Sequence, residues 1–255
     1  MARAIFLQAL SDYTRLRRLF PWLLVAGFCA VLAWSWQFMN AASAPIDRYS
    51  AVSQMLVFRV VALAAAIFAT ANISAEVEQR TIVYLLTRPV PRWMLLLMRY
   101  LAAVLVVSGV CIVAAVGVSV AAFGNPFSNP LLIKDILVLI LGAFAYNGLF
   151  VLISLVSNRA MIICLLYAFG WEIAVPNMPG TMYYLSIYSH LQAVAQHATN
   201  PELGKMVSFL AAMLGTNTLS EGTSLPVLVL ISVTTVALAV FWFTHFEFVP
   251  RDDAE

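Results

Sequence analysis

Two charged residues interrupt long apolar stretches of the sequence, and they are the first candidates for a functional site. They are Arg59 and Glu172. A charge inside a membrane segment is costly and is usually paired or turned towards water. We predict that these residues form an interhelical ion pair in the outer half of the membrane. Two alternatives stay open: Glu172 faces a water-filled outer vestibule, or each side chain reaches separately to the headgroups.

The sequence carries no recognisable catalytic motif. The only Gly-Lys pair is Gly204-Lys205, but Met206 follows where a phosphate-binding loop needs Ser or Thr, and Thr199 stands where its first glycine should be. A G-x-S-x-G nucleophile elbow and an H-E-x-x-H zinc motif are also absent. We therefore expect no catalytic residue and no cofactor in this chain.

The cysteines and histidines show no metal-ligand spacing. Cys29, Cys111 and Cys164 all fall in apolar stretches and are read as small buried side chains. His190 and His197, if they lie on one helix, are about 10.5 Å apart along its axis, which is too far to share one ion. We therefore expect no metal site.

The composition places these residues in a membrane protein. Of 255 residues, 63% are hydrophobic and 10% charged, with a mean hydropathy of +0.92, whereas soluble domains are roughly 45–50% apolar and 25% charged. Six apolar stretches are near the length that crosses about 30 Å of hydrocarbon as a helix. We predict an all-α polytopic protein with one transmembrane domain over residues 1–255. Its predicted spans are 19–39, 51–74, 94–123, 136–157, 160–175 and 225–246.

The basic residues predict the orientation of these spans. If the N-terminus is cytoplasmic, ten of the fourteen Lys and Arg residues lie inside, so the positive-inside rule favours six spans with both termini cytoplasmic, including a tail at 247–255. Residues 1–18 have apolar positions every three or four residues and several arginines, which predicts an interfacial helix. A simple basic flank is the alternative there. Ala42-Ser43-Ala44 leaves a cleaved signal peptide as the alternative to the first span.

The segment 75–93, between the second and third spans, is the most structured connection. It has an apolar helical face and ends at Pro89 and Pro91, which predicts a short surface helix followed by a rigid turn. Such a segment can receive a push from a soluble partner and pass it to the flanking spans.

The residues from Glu76 to Arg92 resemble the coupling segment of ABC-2-type transporter permeases, most of all the branch associated with multi-copper enzyme maturation and related exporters. The resemblance implies the ABC-2 (type V exporter) fold and a coupling helix that docks on a separate ATPase, which binds ATP and Mg²⁺. It also implies a second permease subunit and a bacterial inner membrane. The ATPase-coupling residues that it implies are Glu76, Glu78, Arg80, Thr81, Leu85, Leu86, Arg88, Pro89 and Arg92, with Asn158 and Arg159 in a second contact.

The region 176–224 is too long for a plain connection, yet its apolar runs are too short to cross the bilayer. It is expected to form outer re-entrant or interfacial helices; in the resembled family, outer helices at this place dip into the membrane and close the outer exit. The predicted function is the permease subunit of an ATP-driven exporter, with the lipid bilayer and ATPase subunits as partners. A net charge of +2 gives no reason to expect nucleic acid. A membrane scaffold or assembly factor, and a secondary transporter, are the alternatives.

Overall fold

The computed structural model describes residues 2–39, 44–71, 91–157, 159–177, 182–197 and 219–245. Within these ranges the chain is helical and contains no strand. The residues outside them include most of the predicted coupling segment and part of the region 176–224.

Five of the described helices are long and apolar enough to cross a membrane. A helix needs about 17–25 apolar residues for this crossing. The five helices are α2 (Leu16–Met39), α3 (Pro45–Ala71), α4 (Arg92–Phe123), α5 (Leu132–Val156) and α8 (Glu221–His245). They are preceded by α1 (Ala2–Tyr13). The described part of the chain thus has the architecture of a multi-pass membrane protein.

Within the described residues, two shorter α-helices lie between α5 and α8. The first, α6 (Ala160–Ala174), is apolar but shorter than the five long helices, and a 3₁₀ turn (Val175–Asn177) follows it. The second, α7 (Ile187–Ala195), begins at the N-cap Ser186 and ends at Gln196, which adopts a left-handed conformation with φ 51°. His190 lies inside α7 and His197 lies beyond its end, so the two histidines do not share a helix.

The helices extend beyond several predicted spans, mainly at ends that carry polar residues. The helix α3 begins at Pro45 rather than at residue 51, and proline suits a first helical turn because its missing N–H has no partner there. The helix α5 begins at Leu132 rather than at residue 136 and so includes Lys134 and Asp135. These added turns carry the polar residues that meet Gln196 and His197, directly after α7.

The core of the bundle is built around α4, which packs against α1, α2, α3 and α5. Small residues allow the helices to approach closely, as is typical of membrane bundles. Ala62, Ala66 and Ala69 of α3 are buried, and a Cβ added at Gly148 would come within 2.5 Å of the Thr235 hydroxyl oxygen. The helices α5 and α8 therefore approach closely at this point, where any larger residue would require Thr235 to shift. Because Ala9 and Tyr13 are also buried, α1 packs against the bundle on one face.

Candidate functional site

Buried polar residues gather at the end of the bundle where α7 lies. Among the described residues, the two most deeply buried carboxylates of this region are Asp135 and Glu172, which are 1% and 2% exposed. Burial of an ionised carboxylate is costly unless it is hydrogen-bonded and its charge is compensated. Each carboxylate meets a different end of α7, and together they fix its position.

Glu172, near the end of α6, caps the N-terminus of α7. Its Oε2 accepts hydrogen bonds from the Ser186 hydroxyl at 2.5 Å and from the Tyr188 main-chain N–H at 3.1 Å, and its Oε1 accepts one from Ile187 N–H at 3.2 Å. The first N–H groups of a helix have no partner within the helix and carry partial positive charge, so a carboxylate there is stabilised. Glu172 thereby joins α6 to α7.

Arg59 of α3 lies on the other side of this junction. Its Nη1 donates to the main-chain carbonyl of Glu172 at 3.1 Å, and its guanidinium lies over the Tyr188 ring, 4.5 Å from the centroid. A cation over an aromatic face is attracted by the ring's electron density. Arg59 therefore contacts Glu172 through the Glu172 main-chain carbonyl, and both residues contact Tyr188. The Glu172 carboxylate itself binds the N-terminus of α7.

Tyr188 is held at both its ends. Its hydroxyl donates to the main-chain carbonyl of Gln54 at 2.7 Å and accepts a hydrogen bond from the Gln192 side-chain amide at 2.7 Å. Burial raises the pKa of the Tyr188 hydroxyl, although the charge of Arg59 opposes this rise. A tyrosine hydroxyl is protonated near neutral pH even at its ordinary pKa of about 10, so this one is available as the donor to the Gln54 carbonyl.

Both helices that meet here contain one π-helical segment. The segment Ser53–Val57 of α3 includes Gln54 and ends shortly before Arg59, and the segment Tyr167–Trp171 of α6 ends directly before Glu172. Such π-helical turns are rare and are often found at functional sites. Their position next to the two membrane charges marks this junction as the candidate site.

Asp135, at the start of α5, fixes the other end of α7. Its Oδ2 accepts a hydrogen bond from the Tyr49 hydroxyl at 2.7 Å, and its Oδ1 accepts one from His197 Nε2 at 2.7 Å. The His197 ring packs against Phe58 with its centroid 5.7 Å away, and its Nδ1 is buried without a partner in the described part of the chain. This cluster joins α3, α5 and the residues that follow α7.

A more exposed contact lies beside it. Lys134 Nζ lies 3.2 Å from the Glu221 carboxylate of α8 and 3.0 Å from Gln196 Oε1. Exposed ion pairs contribute little to stability, typically 0 to about 1 kcal/mol. The buried Asp135 cluster, rather than this pair, provides most of the polar attachment at this end.

The contacts of this region fix the position of one helix. Seven of the nine residues of α7 are buried, and α7 packs against α5 and α8. The described residues contain no group of three or more His, Cys, Asp or Glu side chains able to hold a metal ion. Opening this end of the bundle therefore requires breaking the contacts at one or both ends of α7.

A comparison with known families identifies the kind of protein that carries this site. Residues 29–247, all but the first 28 and the last eight of the chain, match the family described as ABC-2 family transporter protein. The chain belongs to the ABC-2 transporter family. It is thus a transmembrane permease of the ABC transporter class. No curated protein gives a significant match to the chain.

Most of the predicted coupling residues of this ABC-2 permease lie outside the described residues. They are Glu76, Glu78, Arg80, Thr81, Leu85, Leu86, Arg88 and Pro89, together with Asn158 of the second contact. Two others are described. Arg92 is the first residue of α4, directly after its N-cap Pro91, and Arg159 is the N-cap of α6. Their roles in contacting an ATPase stay predictions.

Sequence reasoning about this ABC-2 permease missed Tyr49, Asp135 and Ser186. Asp135 lies in the first turn of a long apolar helix, where the helix dipole favours an acidic residue. Its place in the sequence therefore indicates helix stability and not a site. Ser186 precedes an apolar run and is a standard N-cap residue, which was a usable signal. Tyr49 gave none, because its partner Asp135 is 86 residues away in the chain.

Proposed function

We propose that this ABC-2 permease is the transmembrane subunit of an ATP-driven exporter and that α7 closes its outer exit. The observation that carries the proposal is the attachment of α7 at both ends by buried carboxylates, in a chain that matches the family over residues 29–247. A helix fixed in this way blocks the passage of cargo until its contacts are broken. Closure and release of one such element is a familiar form of gating.

The export proposal includes six spans with both termini in the cytoplasm. The helix α6 rises about 22 Å at 1.5 Å per residue, and the 3₁₀ turn that follows adds about 6 Å. The sum is close to the ~30 Å of hydrocarbon that a span must cross. With α6 as the fifth of six crossings, the arginine-rich segments fall on one side, as the positive-inside rule requires of the cytoplasm.

Energy would enter this permease through the segment 75–93. That segment leads directly into α4, whose 32 residues extend about 48 Å, more than the thickness of the hydrocarbon core. A continuous helix of this length transmits a displacement from one membrane surface to the other. We propose that a cytoplasmic ATPase, which binds ATP and Mg²⁺, docks on this segment and on the loop that contains Asn158 and Arg159.

A second permease subunit would complete the pathway in a bacterial inner membrane, since one chain supplies six spans and transporters of the resembled type use twelve. Apolar side chains exposed on α2 and α6 offer surface for such a subunit as well as for lipid; they include Phe20, Phe28, Met161, Leu166 and Phe169. The residues that would recognise the cargo are not assigned.

The test is a double charge reversal in the predicted coupling segment, Arg88→Glu with Arg92→Glu. It should leave membrane insertion intact and reduce co-purification of the ATPase subunit, because it turns two positive contacts negative. The matched control is Arg3→Glu with Arg15→Glu, which reverses two exposed arginines outside the segment. Normal co-purification and transport by the first variant would contradict the proposal.

A further inference from the structure

A groove between α2 and α3 combines two arginines with an apolar slot. Its volume is about 450 Å³. Arg17 and Arg18 line one end, and the rings of Trp22 and Phe68, whose centroids are 5.9 Å apart, lie among its apolar lining. The groove shares no residue with the α7 site, so it needs a separate explanation.

The side chains of the two arginines have no partner within the described part of the chain. Neither the Arg17 nor the Arg18 guanidinium forms a hydrogen bond or ion pair there, and both residues are exposed. Their neighbour Arg15 differs, because its guanidinium lies 2.9 Å from the Asp12 carboxylate. Two guanidiniums at one end of an apolar slot therefore offer donors and positive charge to an anion from outside the protein. Guanidinium groups suit phosphate because they bind its oxygens through paired N–H donors.

The slot below the arginines has the depth of one membrane leaflet. From Arg17 to Val25 on α2, and from Ala71 to Leu63 on α3, the lining extends eight residues, which is about 12 Å along each helix. Half of the hydrocarbon core is about 15 Å. Apart from the two arginines, every lining side chain is apolar or aromatic. The groove thus matches a ligand with an anionic head and an apolar tail.

We propose that this groove binds one anionic phospholipid, with its phosphate at Arg17 and Arg18 and one acyl chain in the slot. Basic pockets between transmembrane helices bind the headgroups of anionic lipids in this way. A free phosphate ion would leave the slot unfilled. A zwitterionic lipid would bring the positive group of its own headgroup towards the arginines. The proposal requires only that the chain spans a membrane and is independent of the export proposal.

The lipid would also have a structural consequence. Ala71 lies at the arginine end of the groove and is the last residue of α3. The bound lipid would therefore connect α2 to α3 where α3 leads into the predicted coupling segment, and its binding should stabilise this helix pair against separation.

The experiment measures lipid binding to the full chain purified in detergent. Native mass spectrometry is used with phosphatidylglycerol, with phosphatidylcholine of the same acyl chains, and with inorganic phosphate as competitor. Phosphatidylglycerol should bind saturably at one lipid per chain, phosphatidylcholine at least tenfold more weakly, and phosphate should not displace the lipid. Arg17→Gln with Arg18→Gln should weaken phosphatidylglycerol by about 30-fold, from about 1 kcal/mol per arginine.

Two further variants separate a built site from general surface charge. Arg15→Gln removes an arginine at the same level that is already paired and should change binding less than twofold. Ala71→Trp keeps both arginines but fills the slot, and it should weaken phosphatidylglycerol by about tenfold or more. Both arginines are exposed, so their replacement does not disturb the core. Unchanged binding in the double variant, an equal loss in Arg15→Gln, or displacement by phosphate alone would overturn the proposal.

Discussion

Glu172→Gln is the sharpest test of the contact that holds the N-terminus of α7. Glutamine has nearly the same shape as glutamate but replaces one acceptor oxygen with an NH₂ group that only donates. Its carbonyl oxygen can still accept from Ser186 and Tyr188, as Oε2 does now. The NH₂ group then faces the Ile187 N–H, which lies 3.2 Å from Oε1 in the structure. Two donors meet, and the main-chain N–H loses its partner.

The expected loss follows from these three hydrogen bonds. A buried donor without a partner costs about 1–3 kcal/mol. The two remaining bonds lose the assistance of a charge, which roughly halves their strength, or about 0.5–1 kcal/mol each. The sum is about 3 kcal/mol for the attachment of α7. That corresponds to about a 100-fold increase in the fraction of molecules in which this end of α7 is open.

Hydrogen exchange measures this opening directly. In purified protein, amides of residues 187–195 should exchange about 100-fold faster in Glu172→Gln, while those in the middle of α5 keep their protection and serve as the internal reference. The matched control is Glu221→Gln, which breaks the exposed pair with Lys134 and should change α7 exchange less than about fivefold. Unchanged protection of α7 in Glu172→Gln would refute the role assigned to this carboxylate.

Two further variants probe the same end of the bundle. Tyr49→Phe removes the hydroxyl that donates to Asp135 at 2.7 Å, and it should lower the free energy of unfolding by about 2 kcal/mol, seen as a lower apparent Tm in detergent; an unchanged Tm would contradict this. The charge swap Arg59→Glu with Glu172→Arg should not rescue the single variants in a thermal-stability assay, because it aims a guanidinium at the N-terminal N–H groups of α7; full rescue would instead favour a direct ion pair between the side chains.

The membrane helices could be predicted because apolar length is a local signal. Stretches of about 20 apolar residues mark a span wherever they occur, so the five long helices are visible in the sequence. The ends of these helices are less visible. Asp47 of α3 and Lys134 of α5 interrupt the hydropathy, yet both residues are helical, because polar residues at a helix end are compatible with the membrane surface and with contacts to other segments.

The candidate site could be predicted only in outline. Arg59 and Glu172 are conspicuous because charge is rare in apolar sequence. Which atoms they use depends on α7, a helix of nine residues whose N-terminus supplies the donors for Glu172. Nothing in the local sequence of α6 indicates that the Glu172 carboxylate binds the N-terminus of α7. The Asp135 cluster was hidden for the same reason, since His197 follows Asp135 by 62 residues and meets it only in the folded chain.

The helix α3 touches both ends of the α7 attachment, and its π-helical segment lies between the two contacts. Tyr49 precedes the segment Ser53–Val57 and Arg59 follows it. A π-helical turn contains one residue more than an α-helical turn, and each residue of an α-helix turns the chain by about 100°. If this segment returned to α-helix, Tyr49 and Arg59 would no longer both face their present partners. The helix α3 therefore contacts both ends of the α7 attachment at once, His197 through Tyr49 and Phe58 and Tyr188 through Arg59. The last described residue of α3, Ala71, lies four residues before the start of the predicted coupling segment at residue 75, so α3 leads from α7 towards that segment.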